Sequence, residues 1–178
     1  MEDASRNGTE NTDFPDLHRG RTLNICVRPM AEGDMPFLAQ LYRSTREEEL
    51  TITGWGEDQK QSFIDMQFRA QHTHYQKHYP GALWLVIEKT GSPVGRLYLE
   101  RWSHEYRIID IALLPSARGG GLGEAILLDL HEEAARDGKA VSIHVEKVNP
   151  AMSLYRRLGY ETVEDKGVYD LLVWTPPA

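Results

Sequence analysis

Residues 107–123 read RIIDIALLPSARGGGLG, and how that stretch is parsed decides the architecture of the chain. Arg107 to Leu114 is rich in β-branched and aliphatic residues, as a buried strand is, and Pro115 stops it. Gly119-Gly120-Gly121 then precede a segment whose Gly123, Ile126, Leu127, Leu130 and Ala134 recur at helical spacing, with Glu124, Asp129, Glu132 and Glu133 opposite. A strand, a glycine turn and a helix in that order make an anion cradle. The first amides of a helix lack intrahelical partners and carry about half a positive charge. Glycines let a ligand approach the backbone closely and turn successive N–H groups inward. A pyrophosphate fits such a nest, with Arg118 as a cation at its rim. The Walker pattern is excluded, because Gly123 is followed by Glu124-Ala125 and not by Lys-Ser/Thr. The dinucleotide fingerprint fits 119–123 only loosely, although Glu146 stands near the distance of its ribose-binding carboxylate.

Working outward, ALWLVIEK (82–89) and VGRLYLER (94–101) flank Thr90-Gly91-Ser92-Pro93 as a hairpin. Leu23 to Pro29 reads as a first strand. Asp34 can cap a helix carrying Phe37, Leu38, Leu41 and Tyr42, and a second helix runs over 59–78. Downstream, AVSIHVEK (140–147) is a buried-type strand. Asn149, Pro150 and Gly159 bound a short helix over 149–158, with Asn at the N-cap and Gly just past the end. YETVED and VYDLLVW supply the last strands. The order β-α-α-β-β-β-α-β-α-β-β describes an α/β (α+β) mixed sheet with helices on both faces. Residues 1–21 read as a disordered tail, and 22–178 as a single domain.

The chain has 178 residues, 40% hydrophobic and 26% charged, enough for one domain with a real core. Twenty Lys and Arg against twenty-seven Asp and Glu give a net charge of −7, which argues against nucleic-acid and anionic-membrane binding and suits a cationic amine. No apolar run reaches the roughly 18 residues of a membrane span, and no signal-peptide pattern opens the chain, so a cytoplasmic location is expected. The single cysteine, Cys26, reads as a buried thiol on the first strand.

Arg118, Gly121 and Gly123, after IDIALLP (109–115), resemble the Arg/Gln-x-x-Gly-x-Gly/Ala signature of the GCN5-related N-acetyltransferase (GNAT) family. Asn149-Pro150-Ala151-Met152-Ser153-Leu154-Tyr155, followed by Gly159-Tyr160, is similar to that family's N-x-x-A-x-x-L-Y…G-F/Y pattern. The resemblance spans about residues 23–174. It implies a GNAT fold, with a mostly antiparallel sheet splayed between its fourth and fifth strands, and acetyl-CoA as cosubstrate. It further implies that the N–H groups of Arg118, Gly119, Gly120, Gly121, Leu122 and Gly123 bind the pyrophosphate. Leu113 and Leu114 would pair with the pantetheine, one of their amides polarising the thioester carbonyl. Asn149 would sit beside the cofactor arm, and Tyr155 would protonate the thiolate.

That chemistry stands by itself. An amine attacks a thioester directly, the developing oxyanion needs fixed donors, and a neutral phenol can return a proton to sulfur. No metal is required. The general base is open among Glu100, Glu105, Asp110, His144 and water. The resemblance implies that the region of the first two helices walls the acceptor site, which makes Glu47, Glu48, Glu49, Trp55, Gln67 and Tyr75 candidates by position for a pocket taking a small-molecule or peptide amine. His72, His74 and His78 share a helix, but a wet amphipathic face explains them as well as a metal does. Two alternatives accompany the transferase reading: a non-catalytic acyl-CoA-binding or regulatory domain, and a dinucleotide-binding fold. VYDLLVW is apolar enough to pair two copies into a homodimer.

Overall fold

A computed structural model describes residues 14–178. Seven strands, β1 (Ile25–Pro29), β2 (Leu83–Lys89), β3 (Ser92–Arg101), β4 (Glu105–Leu113), β5 (Ala140–Glu146), β6 (Glu161–Asp165) and β7 (Tyr169–Trp174), form one sheet in the order β1-β2-β3-β4-β5-β7-β6. Only β4 and β5 run parallel; the other neighbours are antiparallel. This overturns the dinucleotide alternative, which needs a doubly wound parallel sheet.

The helices are α1 (His18–Thr22), α2 (Met35–Thr51), α3 (Glu57–His78), α4 (Leu122–Arg136) and α5 (Met152–Arg157). Strand alternation sends Leu85, Ile87, Leu97, Leu99, Ile108, Val141, Ile143 and Val145 to one face, where they meet Leu122, Ile126, Leu127, Leu130 and Ala134 of α4. A second core, Leu38, Tyr42, Leu50, Ile64 and Phe68, joins α2 to α3 over the other face. No helix among the described residues is long and apolar enough to cross a membrane.

Several expectations need correction. Of the expected tail, residues 1–13 lie outside the described range, but 14–21 belong to the fold. Leu17 is buried, and the Asp129 carboxylate on α4 accepts the Arg19 and Gly20 amides at 3.2 Å and the Arg19 guanidinium at 2.9 Å. The polar composition hid this because the anchor is one leucine plus ionic contacts to a distant helix. Cys26 is exposed, since Ile25 takes the core-facing position of an edge strand. β7, the VYDLLVW strand, is internal and pairs on both sides, so its backbone has no edge for a second copy. The edge strand at this end of the sheet is β6, whose Glu161, Glu164 and Asp165 discourage strand addition.

Asp34 does not cap α2 with its side chain. Its carboxylate reaches back to the Ala31 amide at 2.8 Å and takes Arg28 through two contacts of 2.8 Å, which hold its pKa down at about 2. Asn149 is not the N-cap of α5: the helix starts at Met152 with Ala151 as N-cap and no side-chain cap, and the Asn149 side chain instead accepts the Ala151 N–H at 2.8 Å in a turn that leads into it.

Candidate active site

The site begins where β4 and β5 part. Their ladder runs from Glu105↔Ala140 to Ile108↔Ile143 and goes no further, although β5 stays paired with β7 through Glu146. A bulge at Ile109 coincides with the parting: Leu99 faces Ile108 and Tyr98 faces Asp110, leaving Ile109 without an opposite residue on β3. Bulges bend a strand and increase its local twist, which turns β4 away from its neighbour.

Ladder parity says which backbone groups face the gap. The Leu114 N–H donates to the Val94 carbonyl at 2.7 Å, so 94/114, 96/112 and 98/110 are the hydrogen-bonded pairs with β3. Ile111 and Leu113 therefore direct their N–H and C=O groups into the splay. This corrects the pantetheine pairing expected of Leu114: its N–H is spent on Val94, and its carbonyl accepts the Ala117 N–H at 2.9 Å. Ile111 has the splay-facing backbone groups that Leu114 lacks. Sequence reasoning missed it because strand parity depends on a register and a bulge that the aliphatic run IIDIALL does not display. The backbone of Leu113 faces the splay, as its expected role requires. Gly95 lies opposite it, where an added Cβ would fall 2.3 Å from the Ala112 carbonyl oxygen.

At the outer end of the splay the glycine turn has the positive φ angles expected of it, but the Arg118 N–H donates to the Pro115 carbonyl at 3.2 Å and is not among its free amides. Gly119 and Gly121 both have φ of +79°, and Gly121 is the N-cap of α4, which has no side-chain cap. Nothing lies within 4 Å of the Cβ position at Gly119, Gly120 or Gly121, so the turn faces open space. The amides of Leu122, Gly123 and Glu124 start the helix without an intrahelical partner. Arg118 is exposed, and its Nε donates to the Leu113 carbonyl at 3.0 Å. A cleft of about 450 Å³ lies between α2 and the connection to this turn, lined by Arg43, Ser44, Glu47, Leu114, Pro115 and Ser116 among others.

Tyr155 is 5% exposed on α5, and its hydroxyl makes no hydrogen bond among the described residues. Burial, and then the charge of Asp110, push its phenol well above the usual range, so it is fully protonated at neutral pH. Asp110 lies just past the bulge and is bonded by the buried Arg96, which also donates to Gln71 of α3 at 2.8 Å. Tyr75, on the same helix, is pushed up by burial first and by Asp110 next.

The other base candidates fall elsewhere. Glu105 starts β4 beside His104 at 3.0 Å, and Glu100 pairs across from Arg107, both at the end where β4 and β5 are still joined. His144 is exposed beyond the last β4–β5 pair, and its Nδ1 meets the Arg107 guanidinium at 3.3 Å. Burial and Arg107 lower its pKa, and with Nδ1 accepting, Nε2 carries the hydrogen. Of these candidates, Asp110 is the one that brings a carboxylate to the splay next to a cleft-facing amide, that of Ile111.

Of the proposed pocket wall, Gln67 accepts the Tyr42 hydroxyl at 3.3 Å, Trp55 packs edge-on against Phe63, and Glu47, Glu48 and Glu49 are exposed. A contact missed in the sequence spans the splay: Arg46 of α2 donates to Glu146 of β5 at 3.0 Å. The rings of His74 and His78 stack at 4.0 Å. Among the described residues, the one group of three metal-type ligands within reach of one another is His18, Asp129 and Glu132, and Arg19 bonds both of its carboxylates.

The model of the acetyltransferase (GNAT) family matches residues 38–160, well over half of the chain. The chain belongs to the GNAT family. Among GNAT proteins, it is 40% identical over 76 residues to a mycothiol acetyltransferase of Saccharomonospora viridis, covering 42% of this chain but only 21% of that protein. It is 31% identical over 106 residues to a putative [ribosomal protein bS18]-alanine N-acetyltransferase of Bacillus subtilis, covering 53% of this chain and 69% of that one. The fold matches the PaiA N-acetyltransferase of Thermoplasma acidophilum in complex with coenzyme A, with a TM-score of 0.64 at 16% identity, over 85% of this chain and 98% of that one. It also matches an acetyl-CoA-bound GNAT acetyltransferase of Elizabethkingia anophelis, with a TM-score of 0.54 at 15% identity over 85% and 98%.

Proposed function

We propose that the chain is an N-acetyltransferase that moves an acetyl group from acetyl-CoA to a primary amine by direct attack. The observation that carries this reading is the splay itself: an unpaired β4 edge at Ile111 and Leu113, an open glycine nest at its outer end, and a buried phenol and a carboxylate beside it. The residues fit the cosubstrate. The amides of 119–123 take the pyrophosphate, Leu113 pairs with the pantetheine, and the Ile111 N–H is the oxyanion donor. Coenzyme A and acetyl-CoA in the two matched structures support that assignment.

The acceptor arrives as an ammonium ion and loses one proton through water held at Asp110. The nitrogen attacks the carbonyl carbon, forming the C–N bond as the C–S bond breaks. Tyr155 gives its proton to sulfur and is reprotonated by the second proton that the nitrogen sheds. Acetyl-CoA and the ammonium thus become amide, CoA thiol and one released proton. The reading asks nothing of a metal. The names of the two relatives, a mycothiol acetyltransferase and a putative [ribosomal protein bS18]-alanine N-acetyltransferase, favour the amine of a small thiol or of an alanine in a protein.

The test is CoA release from acetyl-CoA with a panel of an alanine-led peptide, a cysteinyl amino sugar and spermidine. Turnover on at least one, lowered roughly 10²-fold by Tyr155→Phe with the KM for acetyl-CoA little changed, is expected. Tight acetyl-CoA binding without turnover on any would favour the non-catalytic binding domain.

A further inference from the structure

We infer that His131 is a positioning residue for Tyr155 and acts through Tyr160. This rests on the reading of Tyr155 as the proton donor. What holds that phenol in place is not obvious. Its hydroxyl makes no hydrogen bond among the described residues, and α5 is a six-residue helix with Ser153, Arg156 and Arg157 exposed. A helix that short has little stability of its own. Tyr155 is fixed by what its ring leans on, and that is Tyr160: the centroids lie 5.3 Å apart at 81°, an edge-to-face contact.

Tyr160 is anchored twice. Its N–H donates to the Tyr155 carbonyl at 3.0 Å and that of Gly159 to Arg156 at 3.1 Å, a Schellman ending in which Gly159 has φ of +99°. The other anchor is far away in the chain: the Tyr160 hydroxyl meets Nε2 of His131 on α4 at 2.8 Å. Both residues are buried, and the imidazole lies flat on the Trp174 ring at 4.0 Å and 3°. An imidazole is costly to bury, and an apolar side chain would fill this space more cheaply unless the hydrogen bond mattered. Burial holds the His131 pKa down at about 4, so the contact stays neutral throughout the range in which an amine acceptor reacts. A line of contacts thus runs from Trp174 on β7 and His131 on α4 through Tyr160 to Tyr155, tying the donor to the rigid core.

The test follows the Tyr155 ring itself. Protein labelled with ¹³Cζ-tyrosine and saturated with acetyl-CoA is compared as wild type, His131→Leu, Tyr160→Phe and His131→Gln, with Tyr155→Phe assigning the resonance. The Tyr155 signal should shift or broaden in His131→Leu and Tyr160→Phe and return in His131→Gln, whose amide can reach the Tyr160 hydroxyl. On the amine panel, kcat should fall roughly tenfold in the first two while the KM for acetyl-CoA holds within about twofold. An unmoved Tyr155 signal in both folded variants would overturn the inference. If Tyr155→Phe leaves CoA release intact, the proton-donor reading fails by itself, and the spectra still decide whether His131 positions the ring.

Discussion

Nε of Arg118 donates to the carbonyl oxygen of Leu113 at 3.0 Å, so the cation at the rim of the glycine turn lies across the edge of β4 that faces the splay. The contact satisfies a backbone group that has no strand partner, and a pantetheine arm would compete for it. On the proposed function, binding would exchange this bond for cofactor contacts and free the guanidinium for the phosphates. Arg118→Ala removes an attractive charge and a competitor together. Acetyl-CoA affinity should fall by roughly tenfold or less, with a weaker salt dependence than wild type, as calorimetric titration at two ionic strengths would show.

Gly95→Ala tests how closely β3 and β4 must approach. The added methyl would meet the Ala112 carbonyl oxygen at 2.3 Å, and a backbone atom has no rotamer by which to retreat. Destabilisation of about 1–3 kcal/mol is expected from urea unfolding, with weakened acetyl-CoA binding because the displaced strand carries Ile111 and Leu113.

Arg96 and Asp110 form a pair in which the arginine is almost wholly buried. Asp110→Ala leaves that cation without its anion and should cost about 3 kcal/mol. Adding Arg96→Met should restore much of the stability, because an apolar replacement of both partners leaves no orphaned charge. Turnover should stay low in the double variant. Stability and activity recovering together would show that the carboxylate is structural.

His131 gives a pH dependence of known sign. Its folded pKa of about 4 lies below the ordinary 6.5, so the unfolded chain takes up the proton first. Stability is complete above about pH 6.5 and falls as the pH drops toward 4, by about 3 kcal/mol in all. Asp34 and Glu132, both held at about 2, lose their contributions at lower pH still. Urea midpoints between pH 7 and 4 should slope in wild type and flatten in His131→Phe.

Much of the fold was legible because it is written locally. The aliphatic run before Pro115, the glycines after it and the helical spacing from Leu122 place β4, the nest and α4 within a few residues of where they stand. Asn149 and Gly159 did the same for α5. What escaped the sequence depends on long-range register. The bulge at Ile109 selects Ile111 over Leu114 for the cleft-facing edge, and no local propensity marks it. The Arg46–Glu146 contact, the docking of residues 14–22 on Asp129 and the His131–Tyr160 bond each join segments far apart in the chain. Of the four residues that could serve as base by type, the parting of the strands leaves Asp110 as the one carboxylate beside the splay, with His144 across from it on β5.

The most direct test of the central claim is calorimetric titration of the folded protein with acetyl-CoA, beside Gly121→Asp. The glycine sits at φ +79° in the nest, so the variant brings both backbone strain and a carboxylate to the phosphate position. Micromolar one-to-one binding by wild type, lost in Gly121→Asp, is the expected result. Absence of binding by folded wild-type protein at millimolar acetyl-CoA would contradict the account.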